Sequence, residues 1–172
     1  EILKEKKEKE EFVPSTISKV DSFARVWTLS TKDPENGEII SKEKYENILK
    51  NEEYIPLLIT KSNGIRTIFV YGNAKTLSPL RFDLLEYFLK NRGHGGDIIN
   101  LLEKVWKNKE LAKNLRKEVD RDLIRERTSN IRGEISDFNK FLLDNLDVEI
   151  KSHRKGQYKF TCELEYYLIE IL

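Results

Sequence analysis

The chain has 172 residues, 38% of them hydrophobic and 35% charged, which is enough apolar material for one domain with a real core. Lys plus Arg (31) nearly cancel Asp plus Glu (30), for a net charge of +1, so no global field draws the protein toward nucleic acid or membrane and any basic footprint has to be local. No apolar run approaches the roughly 18 residues that a membrane span needs, and the single cysteine excludes an internal disulfide.

The start Glu1-Ile2-Leu3-Lys4 is not a signal peptide. Cys162 lies in an apolar, aromatic run and reads as a buried small hydrophobe in a reducing, cytoplasmic compartment. The absence of methionine, an initiator included, points to the C-terminal piece of a longer protein.

Residues 1–22 open with a run of alternating acids and bases that has only Ile2 and Leu3 to bury, and they read as a charged linker or helix end. Residues 23–76 read as an antiparallel sheet with a short helix. A strand is expected near 23–30 and a turn at Asp33-Pro34-Glu35-Asn36-Gly37. Ser41 caps a helix over Lys42–Lys50 with Tyr45, Ile48 and Leu49 inward. The runs Tyr54–Thr60 and Ile65–Tyr71 flank Lys61-Ser62-Asn63-Gly64, a hairpin signal, and Gly72-Asn73 ends the second strand.

Residues 77–162 follow a helical rhythm. Ser78-Pro79 opens a helix in the preferred way, with the cap first and Pro where its missing N–H costs nothing. Phe82, Leu85, Phe88 and Leu89 repeat at helical spacing down to Asn91, and Gly93 stops the helix, with His94 in a helix-end turn. Asp97 caps the next helix, whose core face is Ile98, Leu101, Leu102, Val105 and Trp106; Trp27 also reads as core. Residues 108–127 read as one long charged helix with a narrow stripe of Leu111, Leu115, Val119 and Leu123. Thr128 or Ser129 starts a third helix that runs to about Asn145. Val148–Lys151 and Gln157–Cys162 read as strands joined by Ser152–Gly156, and 163–172 as a C-terminal extension packing on the domain.

Three motifs recur in order: Leu77-Ser78-Pro79-Leu80-Arg81-Phe82-Asp83-Leu84-Leu85-Glu86-Tyr87-Phe88, then Leu101-Leu102-Glu103-Lys104-Val105-Trp106, then Lys155-Gly156-Gln157-Tyr158-Lys159-Phe160 after a helix of the form Ile-x-x-x-Ile-x-x-Phe. Together with the preceding hairpin they resemble the C-terminal DNA-binding effector domain of two-component response regulators over residues 54–160. The resemblance implies an α+β fold, a winged helix-turn-helix preceded by a small antiparallel β-sheet, here with an extra helix between the second and third helices. It also implies that the third helix occupies the recognition position and that 148–160 forms the wing. The chain departs from that family in three ways: Arg81 replaces an acid, 108–127 replaces the short loop that touches RNA polymerase, and the third helix carries Asp137 and Asn139 where the family is rich in Arg.

On a helical wheel Ile131, Ile135, Phe138 and Leu142 gather on one side of the third helix. Ser129, Arg132, Ser136, Asn139 and Lys140 form a polar stripe away from it, with Gly133 at the edge. Arg toward guanine and Asn toward adenine are the best readers of base edges in a major groove, so Arg132 and Asn139 lead this base-reading set. Phosphate contacts need local positive charge. Lys151, Arg154, Lys155 and Lys159, with His153, fill an acid-free window from Ile150 to Lys159, and Arg125 and Arg127 precede the third helix. The plainer readings are a solvated basic loop and an ordinary surface helix.

No pair of carboxylates stands out as an acid/base couple, and no metal or cofactor motif is present, so an enzyme is not expected. The expected function is sequence-specific binding of double-stranded DNA by the transcription-regulatory output domain of a longer protein. The alternative is a winged-helix protein-interaction module that does not bind DNA. Possible partners besides DNA are a second copy of the chain or a protein docking through 108–127, with no membrane involved.

Overall fold

The computed structural model describes residues 22–91 and 95–172. The expected charged linker, all but its last residue, and the Gly93-His94 turn lie outside the described residues. The chain is a mixed α+β protein. Its elements in order are β1 (Ala24–Trp27), β2 (Glu38–Ile40), α1 (Lys42–Lys50), β3 (Leu57–Ser62), β4 (Ile65–Val70) and β5 (Asn73–Lys75). There follow α2 (Pro79–Lys90), α3 (Ile98–Lys104), α4 (Lys109–Arg116), α5 (Arg121–Arg127), α6 (Ser129–Leu146), β6 (Ile150–Ser152), β7 (Tyr158–Phe160) and β8 (Tyr166–Ile171).

Six strands make one sheet in the order β2-β1-β8-β3-β4-β5. Two corrections follow for the N-terminal half and the C-terminus. The C-terminal residues, expected as an extension packing on the domain, supply a central strand of its sheet. The sheet is also mixed where a purely antiparallel one was expected, because β8 runs antiparallel to β1 and parallel to β3.

Both faces of this sheet are covered, and period-2 alternation distributes its side chains between two cores. Trp27, Leu57, Ile59, Ile68, Tyr166 and Leu168 face the helices from α2 to α6. Ala24, Val26, Leu58 and Ile169 face the other way, where Ile48, Tyr45 and Leu49 of α1 cover them.

The β3–β4 hairpin closes as expected through Asn63 (φ 50) and Gly64 (φ 77), the two left-handed residues of a type I′ turn. A second hairpin follows that the sequence hid. Tyr71 (φ 47) and Gly72 (φ 79) make the same two-residue turn into β5, and Tyr gives no turn signal because bulky residues seldom enter that region.

The cap signals at Ser78 and Asp97 are realised, whereas Thr128 precedes its helix without a side-chain cap bond. The Ser78 hydroxyl accepts from the Arg81 N–H, and Asp97 accepts from the Asn100 N–H at 2.7 Å. Helix α2 is fastened to the sheet by charge: Arg66 reaches Asp83 at 2.5 Å and Glu86 at 3.4 Å while lying 4.9 Å over the Phe82 ring. Lys90 sits 4.1 Å from the Trp27 ring centroid, and burial pushes its pKa down against the pull of Glu86.

Residues 108–127 differ from the expected long helix. They form two short ones, because Asp120 caps a new start by accepting from the Asp122 and Leu123 N–H groups. The leucine stripe therefore breaks: Leu115 is buried, but Val119, in the link, is 94% exposed. Arg116 of α4 holds Glu103 of α3 at 3.0 Å. Cys162 is exposed, contrary to the buried role expected, because the hairpin ends at Phe160 and the bend after it turns outward.

Two expectations follow. Deleting 166–172 removes the strand between β1 and β3 and is expected to unfold the whole chain, with loss of near-ultraviolet circular dichroism; a truncated chain with a native spectrum would contradict the central role of β8. The hydrogen bond from Arg116 holds the Glu103 carboxyl below its ordinary pKa. Its contribution is therefore full above the usual glutamate value of about 4.3 and is lost as pH falls through the lowered folded value. Carboxyl NMR titration is expected to give a depressed Glu103 midpoint that returns to normal in Arg116→Ala.

Candidate nucleic-acid interface

Helix α6 starts one residue after α5. Thr128 is fully buried at the joint, where its hydroxyl donates to the Ile124 carbonyl at 2.5 Å and its own carbonyl accepts from Ile131 and Arg132. From there Ile131, Ile135, Phe138 and Leu142 point into the core as the wheel predicts.

The polar stripe divides. Ser129, Gly133, Ser136 and Lys140 are exposed, whereas Arg132 and Asn139 are half-buried and turned toward the hairpin. Asn139 is a correction to the base-reading set. Its amide donates to the Ile150 carbonyl at 2.9 Å and its oxygen accepts from the Ile150 N–H at 2.7 Å. Both ends of the side chain are used, so Asn139 is a clamp that fastens the first hairpin strand to α6. Arg132 is anchored as well, donating to the Arg125 carbonyl at 2.9 Å. The Ser129 hydroxyl donates to the Glu126 carbonyl at 3.0 Å.

The hairpin β6–β7 has a register that sorts its side chains. Ile150 pairs with Phe160 and Ser152 with Tyr158 on the inner side, while Lys151 faces Lys159 directly across the other. Two ammonium groups in register repel each other; Glu149, 2.8 Å from Lys151, offsets part of that. Arg154 is exposed in the turn Arg154–Gly156. The Lys155 side chain lies outside what the structure describes.

A third segment closes against this hairpin. Gly96 exchanges two backbone hydrogen bonds with Tyr158, at 3.0 and 2.7 Å. The approach is close because Gly95 sits at φ +60, where an added Cβ would stand 1.9 Å from the Tyr158 carbonyl oxygen. Beside it the Tyr87 hydroxyl donates to the Gly95 carbonyl at 3.3 Å, and burial, with the Asp97 charge, raises its pKa.

Arg66, Arg81 and Arg116 each hold a carboxylate. Among the described residues, Arg121, Arg125, Arg127, Arg132 and Arg154 have no ion pair, and neither has Arg25 of β1, which donates to the Asn36 carbonyl instead. Two acids of α6 have cationic neighbours: Glu134 lies 3.6 Å from Arg81 and Asp137 3.7 Å from Lys140. Asp144 and Asp147 stay exposed at the far end of α6.

The structure brings Arg125 and Arg132 together along one cleft of about 690 Å³, with Arg121, Ile124, Ser152 and Tyr158 on the same walls. Arg121 was missed from the sequence, although its spacing of four from Arg125 places both on one face of α5. Arg127 and Arg154 stand exposed nearby in sequence but do not line this cleft, and Lys159 lines a separate concavity beside Phe160 and Cys162. Among the described residues no group of three or more His, Cys, Asp or Glu converges on a metal-sized site, and no helix is long and apolar enough to cross a membrane. Comparison with models of known protein families gives no match, and comparison with curated proteins gives none.

Asn139→Ala leaves both Ile150 backbone groups unpaired and is expected to cost about 1–3 kcal/mol. Amide exchange over 150–160 is expected to accelerate more than exchange in the sheet. Equal acceleration in both places would show that Asn139 is no local clamp.

Proposed function

We propose that this protein binds double-stranded DNA through α6 and the β6–β7 hairpin, as the output domain of a transcription regulator with a winged-helix arrangement. The observation that carries the reading is the set of five arginines without carboxylates on α5, α6 and the hairpin turn, three of which line one cleft. Guanidinium groups without carboxylates, three of them along one cleft, fit a polyanionic partner whose phosphates would take the place of carboxylates.

Support for the winged-helix arrangement comes from the sequence resemblance together with three features: the order α2, α3, α6, the hairpin that follows directly, and the Gly96 backbone paired to its second strand. In such a complex the exposed line of Ser129, Gly133, Ser136 and Lys140 enters the major groove. Ser adapts to several base edges and Lys favours guanine. With Asn139 committed to Ile150, few side chains are left to read sequence, and discrimination between sites rests on Lys140 and the two serines. Arg125, Arg127, Lys151, Arg154, Lys155 and Lys159 supply phosphate contacts that set affinity and register.

The protein-docking alternative has one specific observation in its favour, the exposed Val119 in the insertion.

Fluorescence anisotropy on mixed duplexes is expected to show binding that weakens steeply with salt. Arg127→Ala and Arg154→Ala should weaken all duplexes alike and lower the slope of log affinity against log salt by about one each. Lys140→Ala should narrow the spread between best and worst duplex by roughly 1–3 kcal/mol. No binding at low salt would sink the DNA reading, and loss of function from Val119→Asp with the arginine variants intact would favour docking instead.

A further inference from the structure

The cleft between α5 and the hairpin has more in it than a phosphate-backbone contact uses. It is lined by three arginines, Arg121, Arg125 and Arg132, and by Ile98, Ile99, Ile124 and Tyr158, with Ser152 and Gly156 of the hairpin. One acid, Asp97, is present, but its carboxylate is already engaged in capping α3 by accepting from the Asn100 N–H at 2.7 Å. Among the described residues it makes no ion pair with any of the three arginines.

Each component of the cleft favours a different part of one ligand. Guanidinium forks match phosphate oxygens in geometry and charge. The Arg132 fork is held in place by the Arg125 carbonyl at 2.9 Å, so less rotamer freedom is lost when it binds. The Tyr158 ring is a surface on which a planar heterocycle stacks, and the neighbouring isoleucines extend it as an apolar wall. The volume, about 690 Å³, falls inside the roughly 300–1,000 Å³ span of small-ligand sites. A bare phosphate would leave that surface unused, and a duplex backbone keeps its bases stacked and out of reach.

We propose that this cleft binds a single nucleotide unit, with its phosphate on Arg121, Arg125 and Arg132 and its base against Ile98, Ile124 and Tyr158. The nucleotide is either a free mononucleotide or an unstacked residue of a nucleic-acid strand. The site lies beside the groove-facing side of α6 and does not require that side to bind duplex.

The test titrates the full chain with deoxyadenosine monophosphate, with inorganic phosphate and with a short single-stranded oligodeoxyadenylate, followed by amide and arginine side-chain NMR. Saturable shifts at Ile124, Arg132 and Tyr158 are expected with the nucleotide or the oligomer. Affinity should exceed that for inorganic phosphate by at least about tenfold and fall by at least about tenfold in Arg121→Ala/Arg125→Ala, whose two sites are exposed and leave the core intact. Saturation by the mononucleotide identifies a free ligand, and saturation by the oligomer alone identifies a residue within a strand; either supports the site. Lys140→Ala is expected to leave these titrations unchanged while altering duplex discrimination, so failure of the cleft and failure of duplex binding are read separately. The proposal is overturned if neither probe saturates, if inorganic phosphate binds as well as the nucleotide, or if the double variant binds unchanged.

Discussion

Strand β8 holds the molecule together. Without it the sheet separates into a β1–β2 pair and a β3–β4–β5 meander, because among the described residues no other strand joins them. Its fully buried Leu168 and Ile169 point into opposite cores, and the Tyr166 hydroxyl stands 3.2 Å from the carbonyls of both Thr28 and Leu89. One strand thus ties the first element of the described chain, the α2 helix and the middle of the sheet to the segment that leaves the hairpin. The hairpin's exit is fixed by this return, as its entry is fixed by α6.

The hairpin is held from three sides, and none of the three uses its basic side chains. Asn139 bonds Ile150 on the first strand, Gly96 bonds Tyr158 on the second, and Phe160 packs against Phe88 with ring centroids 5.9 Å apart. Structural work is done by backbone groups, an amide and aromatic rings. Lys159 and Arg154 are consequently left without ion pairs among the described residues. On α5 and α6 the packing comes from Ile124, Thr128, Ile131, Ile135, Phe138 and Leu142, and of the arginines there only Arg132 bonds within the fold among the described residues, to the Arg125 carbonyl. Positive charge left over in this way is available to a ligand at little cost to the fold.

Elements with local chemical signals were legible in the sequence. Ser78-Pro79 and Asp97 cap helices where expected, Asn63-Gly64 closes its hairpin, and the apolar period of α6 gave its buried face. What depends on distant partners was not. Strand β8 looks like any apolar tail, because nothing within 163–172 names β1 and β3 as its neighbours. The break at 117–120 contains neither Gly nor Pro, and only the capping of α5 by Asp120 makes the chain start again. Asn139 sits on the polar side of α6 just as a base reader would; its role is decided by a backbone carbonyl eleven residues ahead. Cys162 is exposed because the strand ends two residues earlier than its apolar run suggested. In the candidate site, Arg125 and Arg132 were visible as basic residues and the helix start at Thr128 was expected, but the convergence of both with Arg121 depends on the separate helix start at Asp120, which the expected single helix over 108–127 lacked.

The central claim is that the arginines left without carboxylates on α5, α6 and the hairpin turn form a surface for a polyanion. Hydrogen–deuterium exchange of the full chain with and without a mixed duplex at low salt tests it most directly. The account predicts slowed exchange at the N-terminal half of α6, along α5 and in residues 150–160, with the α1 face of the sheet unchanged. Protection confined to that face, or none anywhere at saturating duplex, would contradict it.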